Sequence, residues 1–102
     1  MDRIKLHRIG DRKIFYIEKN GQRHWHNPFG PAYIAPDGSK HWYLYHKRHR
    51  IDGPAVEFTD GVTLWYLDNK KLPKDEVEAW IKENNINLKT EEGKVAFKLR
   101  WS

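Results

Sequence analysis

The internal repeat constrains the fold of this chain more than any other feature of its sequence. The landmarks Gly-Pro-Ala, Asp-Gly and Trp-Tyr-Leu occur in this order at residues 30–44 and again, 23 residues later, at residues 53–67. Repeats of roughly 20–50 residues are typical of stacked supersecondary units, none of which buries its apolar face alone. The sequence therefore predicts a series of similar units that share one core.

Each copy carries the pattern of a β-hairpin. Its Asp-Gly pair lies between two short runs of β-branched, aromatic and aliphatic residues, and glycine accepts the positive φ that a tight turn requires. The proline of Gly-Pro-Ala precedes the first strand, where a missing N–H costs little. The pattern predicts strands at residues 32–35 and 39–45 in one copy, and at residues 55–59 and 62–67 in the next.

A degenerate unit precedes these two copies. Residues 20–21 supply an Asn-Gly turn, and residues 15–17, Phe-Tyr-Ile, stand near the position of Trp-Tyr-Leu. The offset to the next unit is 27 or 25 residues, and both alternatives assign side chains to the same faces because they differ by two. A further strand over residues 2–9 gives about six strands in an antiparallel meander that ends at residue 72.

The pattern changes after Leu72 and Pro73. Residues 74–85 carry acidic side chains in the first turn and apolar side chains spaced for one helix face, namely Val77, Trp80 and Ile81. This spacing predicts an amphipathic helix over residues 73–85, and Leu72 is placed to pack on Val77 at its start.

Residues 86–102 form a tail whose apolar content predicts packing against the rest of the chain. Apolar side chains alternate as in a strand at Val95, Phe97, Leu99 and Trp101, whereas residues 90–92 open like a helix. Both alternatives stay open. Together the patterns predict one α+β domain over residues 1–102: an antiparallel β-hairpin-repeat meander, a C-terminal amphipathic helix and a short packed tail.

Composition and charge narrow the functional classes. The chain has no cysteine, which excludes disulfides, thiol nucleophiles and thiolate metal sites. No apolar run approaches the ~20 residues that span a bilayer, and the N-terminus lacks the apolar segment of a secretory signal. We therefore expect no membrane partner and a cytoplasmic location.

The charge is distributed unevenly along the chain. The formal net charge is +5, with +7 in residues 1–50 and −2 in residues 51–102, and all six histidines lie in the first half. Such a field favours an anionic partner, either a nucleic acid or an acidic protein surface. The simpler alternative is a solvated surface that only keeps the protein in solution.

The strand period of two divides the side chains between two faces of the sheet. Those expected on the core face are Trp42, Leu44, Trp65, Leu67, Phe15, Ile17, Val56 and Phe58. Those expected on the opposite face, at least half exposed, are Tyr16, Tyr43, Tyr45 and Tyr66, beside Lys40, His41, Lys47 and Arg48. Such a row of tyrosines stabilises a sheet through cross-strand pairs, or it binds a partner, since Tyr and Arg are enriched in interface hot spots.

The most concentrated basic element joins the two best copies of the repeat. Residues 45–50 hold three cations and two histidines. Edge turns use like charge to block association between strands, but this run also fits anion binding that strengthens as the pH falls through about 6.5. The candidate partner-binding residues are Tyr16, Tyr43, Tyr45, Tyr66, Arg23, His24, Lys47, Arg48, His49 and Arg50.

The sequence predicts neither a catalytic site nor a metal site. His24, His26 and His49 could approach one another across neighbouring connections, but the local charge is positive and no metal-binding motif is present. Glu57 is the one acid centred in a predicted strand of the repeats, and alone it makes no acid–base pair. We expect a protein that is not an enzyme and requires no cofactor.

The string Trp-Tyr-Leu-x-x-Lys-x-His-Arg-x-Asp-Gly-Pro-Ala, followed by Asp-Gly, resembles the hairpin repeats of small tailed-phage proteins, which are divergent relatives of MORN-type repeats. The match covers roughly residues 12–72. The resemblance implies a β-hairpin meander, a phage or prophage origin and a non-enzymatic accessory role, and it supplies no known binding residue. The sequence departs from the family at residues 45–46 and 68–69, where Asn-Gly is usual, which predicts looser or longer turns there.

These features lead to a first hypothesis. The chain is a phage-encoded interaction protein in the host cytoplasm that binds an acidic patch on a host protein and modulates or inhibits it, with defence factors as targets by analogy. The alternative is single-stranded nucleic-acid binding, in which aromatic rings stack on bases while cations follow the backbone. A homodimer through exposed sheet edges is a third hypothesis.

Overall fold

The computed structural model describes residues 3–102 and confirms the α+β fold, with an antiparallel meander of short strands followed by two C-terminal helices. In chain order the elements are β1 (Lys5–Ile9), β2 (Arg12–Lys19), β3 (Gln22–Trp25), β4 (Tyr33–Ile34), β5 (Lys40–His41), β6 (Tyr43–Leu44), β7 (Lys47–Arg48), β8 (Val56–Glu57), β9 (Thr63–Leu64), β10 (Tyr66–Leu67), β11 (Lys70–Lys71), α1 (Lys74–Glu83) and α2 (Glu91–Trp101). The strand predicted over residues 2–9 is β1, and Asp2 lies outside the described residues.

The strands are shorter and more numerous than predicted. The predicted strand 39–45 is split at Trp42, because β5 pairs with β4 and β8 whereas β6 turns back onto β7. The same split at Trp65 separates β9 from β10. The main sheet has the order β1-β2-β4-β5-β8-β9, with β3 also on β2, and the pairs β6-β7 and β10-β11 are separate two-stranded ribbons.

The Asp-Gly turns form as the sequence predicts. Gly38 and Gly61 have φ values of +95° and +92°, in the left-handed region. In each turn the aspartate carboxylate accepts a hydrogen bond from the N–H two residues on, Ser39 to Asp37 at 2.9 Å and Val62 to Asp60 at 3.0 Å. The bond from Ser39 lowers the pKa of the Asp37 carboxyl, because it stabilises the ionised form.

A second kind of hairpin alternates with the first. Its turns are two residues long and left-handed at both positions: 52° and 78° at residues 20–21, 49° and 67° at residues 45–46, and 47° and 70° at residues 68–69. These are the φ signs of a type I′ turn, the two-residue turn that matches strand twist. The prediction of looser or longer turns at residues 45–46 and 68–69 is therefore wrong.

The first of these hairpins is longer than the other two, which resolves its offset. Equivalent backbone bonds run from His26 to Phe15, from His49 to Trp42 and from residue 72 to residue 65. Between these bonds and the turn, each strand of the first hairpin has two extra residues. The offset to the second unit is therefore 27 residues before the turn, 25 at the turn and 23 after it.

The core lies between the last repeat unit and the two helices. Its buried members are Trp65, Leu67, Leu72, Val77, Phe97 and Trp101, with Trp80 and Ile81 packed against them. Helix α1 begins after Pro73, so Leu72 and Val77 occupy the two positions of a hydrophobic staple. The predicted helix, its apolar face and its contact with Leu72 are confirmed.

The tail is a helix rather than a strand. The Thr90 hydroxyl accepts a hydrogen bond from the Gly93 N–H at 3.0 Å, which caps α2. A Cβ at Gly93 would overlap the carbonyl oxygen of Asn87, so this position requires glycine. Phe97 and Trp101, four residues apart, face the core, while the side chain of Leu99 is 80% exposed.

The apolar face of the earlier units is only partly covered. Trp42 and Leu44 are half-buried, whereas their equivalents in the last unit pack under the helices. They line a cleft of about 540 Å³ beside Phe29, which is 88% exposed. Phe58, expected in the core, is 38% exposed, because it lies in the Asp-Gly turn beyond β8 and contacts His41 edge-on.

Candidate functional site

Consecutive repeat units are joined by hydrogen bonds that repeat with the sequence. Nδ1 of His26 accepts the Tyr45 N–H at 3.0 Å, and Nδ1 of His49 accepts the Asp68 N–H at 2.9 Å. The second N–H of each left-handed turn donates to the previous unit, from His46 to the Trp25 carbonyl and from residue 69 to residue 48, both at 2.7 Å. Each turn is thereby docked onto the strand of the unit before it.

The residue after each of these histidines holds the Gly-Pro-Ala segment. The Asn27 amide donates to the Pro31 carbonyl at 3.1 Å, and the Arg50 guanidinium donates to the Pro54 carbonyl at 3.0 Å. The Arg50 guanidinium also lies close enough to Gly53 that a Cβ at this position would meet it at 2.9 Å. These contacts explain why the Gly-Pro-Ala landmark recurs.

Arg50 is consequently a paired, structural cation rather than part of an open basic rim. Its guanidinium bonds to Asp52 at 2.7 Å and to Glu57 at 3.0 Å, and it stacks on Trp42 with 3.8 Å between Cζ and the ring centroid. Only 17% of its side chain is exposed. Two carboxylates already offset its charge, so it has little left to offer an anionic partner.

His49 also serves the fold. Its side chain is 12% exposed, and burial lowers its pKa, an effect that outweighs the opposing charge of Asp68. The bond that Nδ1 accepts from Asp68 N–H requires a neutral imidazole at that atom. The expectation that protonation here strengthens binding does not fit this arrangement, because a proton on Nδ1 displaces the backbone donor.

The remaining candidates and their neighbours form one contiguous cluster across the hairpins. We call it the aromatic face, and its members are Trp25, Tyr33, His41, Tyr43, Arg48 and Tyr66. Trp25 stacks on Tyr33 with 4.9 Å between ring centroids and meets Tyr43 edge-on at 5.2 Å. Burial raises the pKa of the Tyr43 phenol, and the nearby phenols of Tyr66 and Tyr33 add to this effect. All six members are partly exposed.

Tyr16 is a correction to the predicted exposed row. It is equivalent to Tyr43 and Tyr66 but is only 7% exposed. It lies on β2, where Lys5 pairs with it on one side and Trp25 on the other, and the Arg23 guanidinium covers its ring at 4.6 Å. Being flanked by strands on both edges, Tyr16 contributes to the sheet and not to an accessible surface.

Arg48 lies at the centre of the aromatic face. Its Cζ is 5.6 Å from the Tyr43 ring centroid and 5.5 Å from that of Tyr66, within the range of cation–π attraction. Its Nε and the neighbouring His41 Nδ1 are buried and have no hydrogen-bond partner among residues 3–102. Burial, followed by the positive charge of Arg48, lowers the pKa of His41.

The other predicted residues surround this centre. Tyr45 is 54% exposed, with the Lys19 ammonium 5.1 Å from its ring, and Lys47 and Arg23 are exposed. His24 is half-buried and meets the His46 ring edge-on at 6.1 Å. The structure therefore places these residues around the aromatic face, while Tyr16, His49 and Arg50 stabilise the fold.

Charge pairing separates the cations of the sheet into two groups. The ion pairs of the described residues engage Lys5 with Glu18, Arg50 with two carboxylates and Lys94 with Glu91. Across residues 3–102, neither Arg48 nor the exposed cations near it, Lys47 and Lys71, form an ion pair. The aromatic face thus combines rings with uncompensated positive charge.

Sequence reasoning missed Trp25, Tyr33 and His41 as members of this face. Their signal was present in the repeat: Trp25, Arg48 and Lys71 are equivalent, because each is the cross-strand partner of its hairpin's tyrosine. Aligning the left-handed turns, rather than the Trp-Tyr-Leu strings, places these three positions in one row.

Over the part of the chain that the structure describes, no group of three or more histidine or acidic side chains could hold a metal ion. Likewise, neither helix in residues 3–102 is long and apolar enough to cross a membrane. Comparisons of the chain with protein-family models, curated proteins and solved structures found no match.

Proposed function

We propose that the protein is a non-enzymatic interaction module whose aromatic face binds an acidic surface of a partner protein. The observation that carries the proposal is the combination of partly exposed rings with cations that have no ion pair in residues 3–102. Tyr, Trp and Arg are the residues most enriched in interface hot spots. The unpaired charge favours an acidic partner through faster association and selectivity.

The resemblance to tailed-phage hairpin repeats supports a host protein as the partner. A small module without catalytic groups acts by occupying a surface, so inhibition or modulation of the host protein is the proposed outcome. Defence factors are the proposed targets by analogy with other small phage proteins. The host cytoplasm is the proposed location.

A purely structural role for the aromatic rings is the competing explanation. Cross-strand aromatic pairs contribute ~0.2–1 kcal/mol each to a sheet, so part of the face serves stability in any case. That role does not require Arg48 to lack a carboxylate partner, whereas Arg50 in the same connection has two. The contrast between these two arginines supports a binding role for the face.

The test is affinity capture from bacterial lysate with nuclease added, followed by mass spectrometry. Tyr66→Ala should weaken capture of one specific protein at least about tenfold while the far-UV spectrum persists, as expected of a hot-spot residue. Leu99→Ala is the matched control, because Leu99 is 80% exposed on α2, away from the face. If Tyr66→Ala and Leu99→Ala retain the partner equally, the aromatic face is not the interface.

Single-stranded nucleic-acid binding is the second candidate. Trp25 and Tyr33 form a stacked pair beside the Arg12 guanidinium, which lies 6.0 Å from the Tyr33 ring, and such platforms bind bases with little sequence preference. This function predicts binding to oligothymidylate that weakens steeply with salt. Capture that disappears with nuclease, or a salt slope reduced by Arg12→Ala, would favour it over the acidic protein partner.

A further inference from the structure

We infer that Arg48 is the anion-recognising residue of the aromatic face and that the group it binds is a carboxylate on an acidic segment of the partner. The inference rests on the proposed function and specifies the chemistry of that same surface. It begins from the position of Arg48 in the repeat, where three equivalent residues have different environments.

The equivalent position in the first hairpin shows what this site needs for packing alone. Trp25 is the cross-strand partner of Tyr16 and contacts Tyr43 of the next hairpin. Arg48 is the cross-strand partner of Tyr43 and contacts Tyr66 of the next hairpin. A flat apolar ring therefore suffices to fill the gap between successive hairpins, and a guanidinium adds a charge that packing does not require.

The charge at Arg48 is held in a fixed place. Its backbone is paired in β7, and its carbonyl accepts the Asn69 N–H at 2.7 Å, so both neighbouring hairpins position it. Two phenol rings lie within cation–π distance of the guanidinium. A planar fork positioned in advance loses less conformational entropy when it binds, which favours bidentate contact with an oxyanion.

The donors of this site are unused. The Arg48 Nε is buried without a hydrogen-bond partner in residues 3–102, and so is Nδ1 of the neighbouring His41. Buried donors without partners are costly, and a bound oxyanion that reaches Nε removes that cost. The surrounding Lys47 and Lys71 are exposed cations that would attract an acidic segment towards the site.

A carboxylate matches the site better than a phosphodiester backbone does. One carboxylate neutralises one half-buried guanidinium and presents two oxygens in the plane of its fork. A nucleic-acid strand needs a track of cations, and the next arginine along the chain, Arg50, is already paired with Asp52 and Glu57. We therefore assign the site to an Asp or Glu side chain of a protein partner.

The test uses the full chain, uniformly labelled with ¹⁵N, and hexaglutamate as the probe. The Nε–Hε signal of Arg48 should shift saturably, whereas that of the paired Arg50 stays within experimental error. Arg48→Trp reproduces the residue found at position 25, so it preserves packing and removes the charge. It should weaken hexaglutamate binding about tenfold or more, and Arg48→Lys should also weaken it, because an ammonium lacks the planar fork.

Several outcomes overturn the inference. One is Arg48→Trp binding hexaglutamate as tightly as the unmodified chain. Another is a hexanucleotide of thymidine shifting the Arg48 signal at lower concentration than hexaglutamate does, which would reassign the site to phosphate. If either occurs while Tyr66→Ala still abolishes capture of a protein partner, the proposed function stands and only the carboxylate assignment fails. If hexaglutamate binds at Arg48 but Tyr66→Ala leaves capture unchanged, the proposed interface fails instead.

Discussion

The histidines that dock one repeat unit onto the next predict a specific loss of stability in mild acid. His49 accepts the Asp68 N–H through Nδ1, and burial lowers its pKa in the folded protein. An unfolded chain binds the proton near the ordinary histidine pKa of about 6.5, before the folded chain does. The stabilising contribution of His49 is therefore fully present above about pH 6.5 and is lost as the pH falls below it.

The expected magnitude follows from the bond that is broken. Losing one backbone-to-imidazole hydrogen bond costs about 1 kcal/mol, which corresponds to a melting-temperature decrease of about 4–8 °C in a domain of this size. The Asp68 carboxylate lies 3.4 Å from Nδ1 and is 81% exposed, so the ion pair available after protonation is a weak replacement.

The assay is urea unfolding at pH 7.5 and at pH 5.5, followed by tryptophan fluorescence. At pH 7.5, His49→Ala should be less stable than the unmodified protein by about 1 kcal/mol or more, since packing is lost as well as the bond. At pH 5.5 the difference should shrink. His24→Ala is the control, because no hydrogen bond to that imidazole occurs in the described residues. An equal stability difference at both pH values would refute the neutral-acceptor role of His49.

Three further substitutions test the packing and pairing described above by urea unfolding. Gly93→Ala should destabilise by about 1–3 kcal/mol, because its Cβ would overlap the Asn87 carbonyl, and an unchanged midpoint would contradict this close approach. Phe97→Ala should cost about 3–5 kcal/mol, as for a fully buried aromatic side chain, whereas a value below 1 would place it outside the core. Arg50→Ala should cost about 1–3 kcal/mol by leaving its partners unpaired, while Lys47→Ala should have almost no effect; equal effects would refute the difference in their roles.

Features that depend on neighbouring residues in the chain could be predicted from the sequence. The Asp-Gly turns need only glycine's freedom at positive φ and a short carboxylate side chain, both visible in the sequence. Helix α1 follows from apolar spacing after a proline. The order of strands and helices was accessible for the same reason.

Features that depend on contacts between units were not accessible from local patterns. Tyr45 and His46 have no preference for positive φ, yet both adopt it, because His26 and Trp25 of the previous unit accept their N–H groups. The turn at these residues splits the predicted strand 39–45 at Trp42. A propensity rule evaluates a turn by its own residues, so it cannot foresee acceptors about 20 positions upstream.

The candidate site shows the same division. Period-two alternation correctly grouped Tyr43 and Tyr66 with Arg48, which is their shared cation–π partner. The same alternation could not show that β2 is flanked on both edges, which buries Tyr16. Nor could charge counting distinguish Arg48 from Arg50, because their difference lies in which carboxylates reach them in space.

The two ends of the repeat array have consequences for engineering. Where a further unit would place a histidine, the chain has Leu72, which packs on Val77 and joins the array to the helices. A unit of residues 49–71 carries its own docking histidine, Gly-Pro-Ala clamp and left-handed turn. A duplicate inserted after Lys71 would meet the existing last unit on one side and Leu72 on the other. The molecule is in this sense a ruler of adjustable length, whose aromatic face could be extended by one hairpin at a time without altering its helical end.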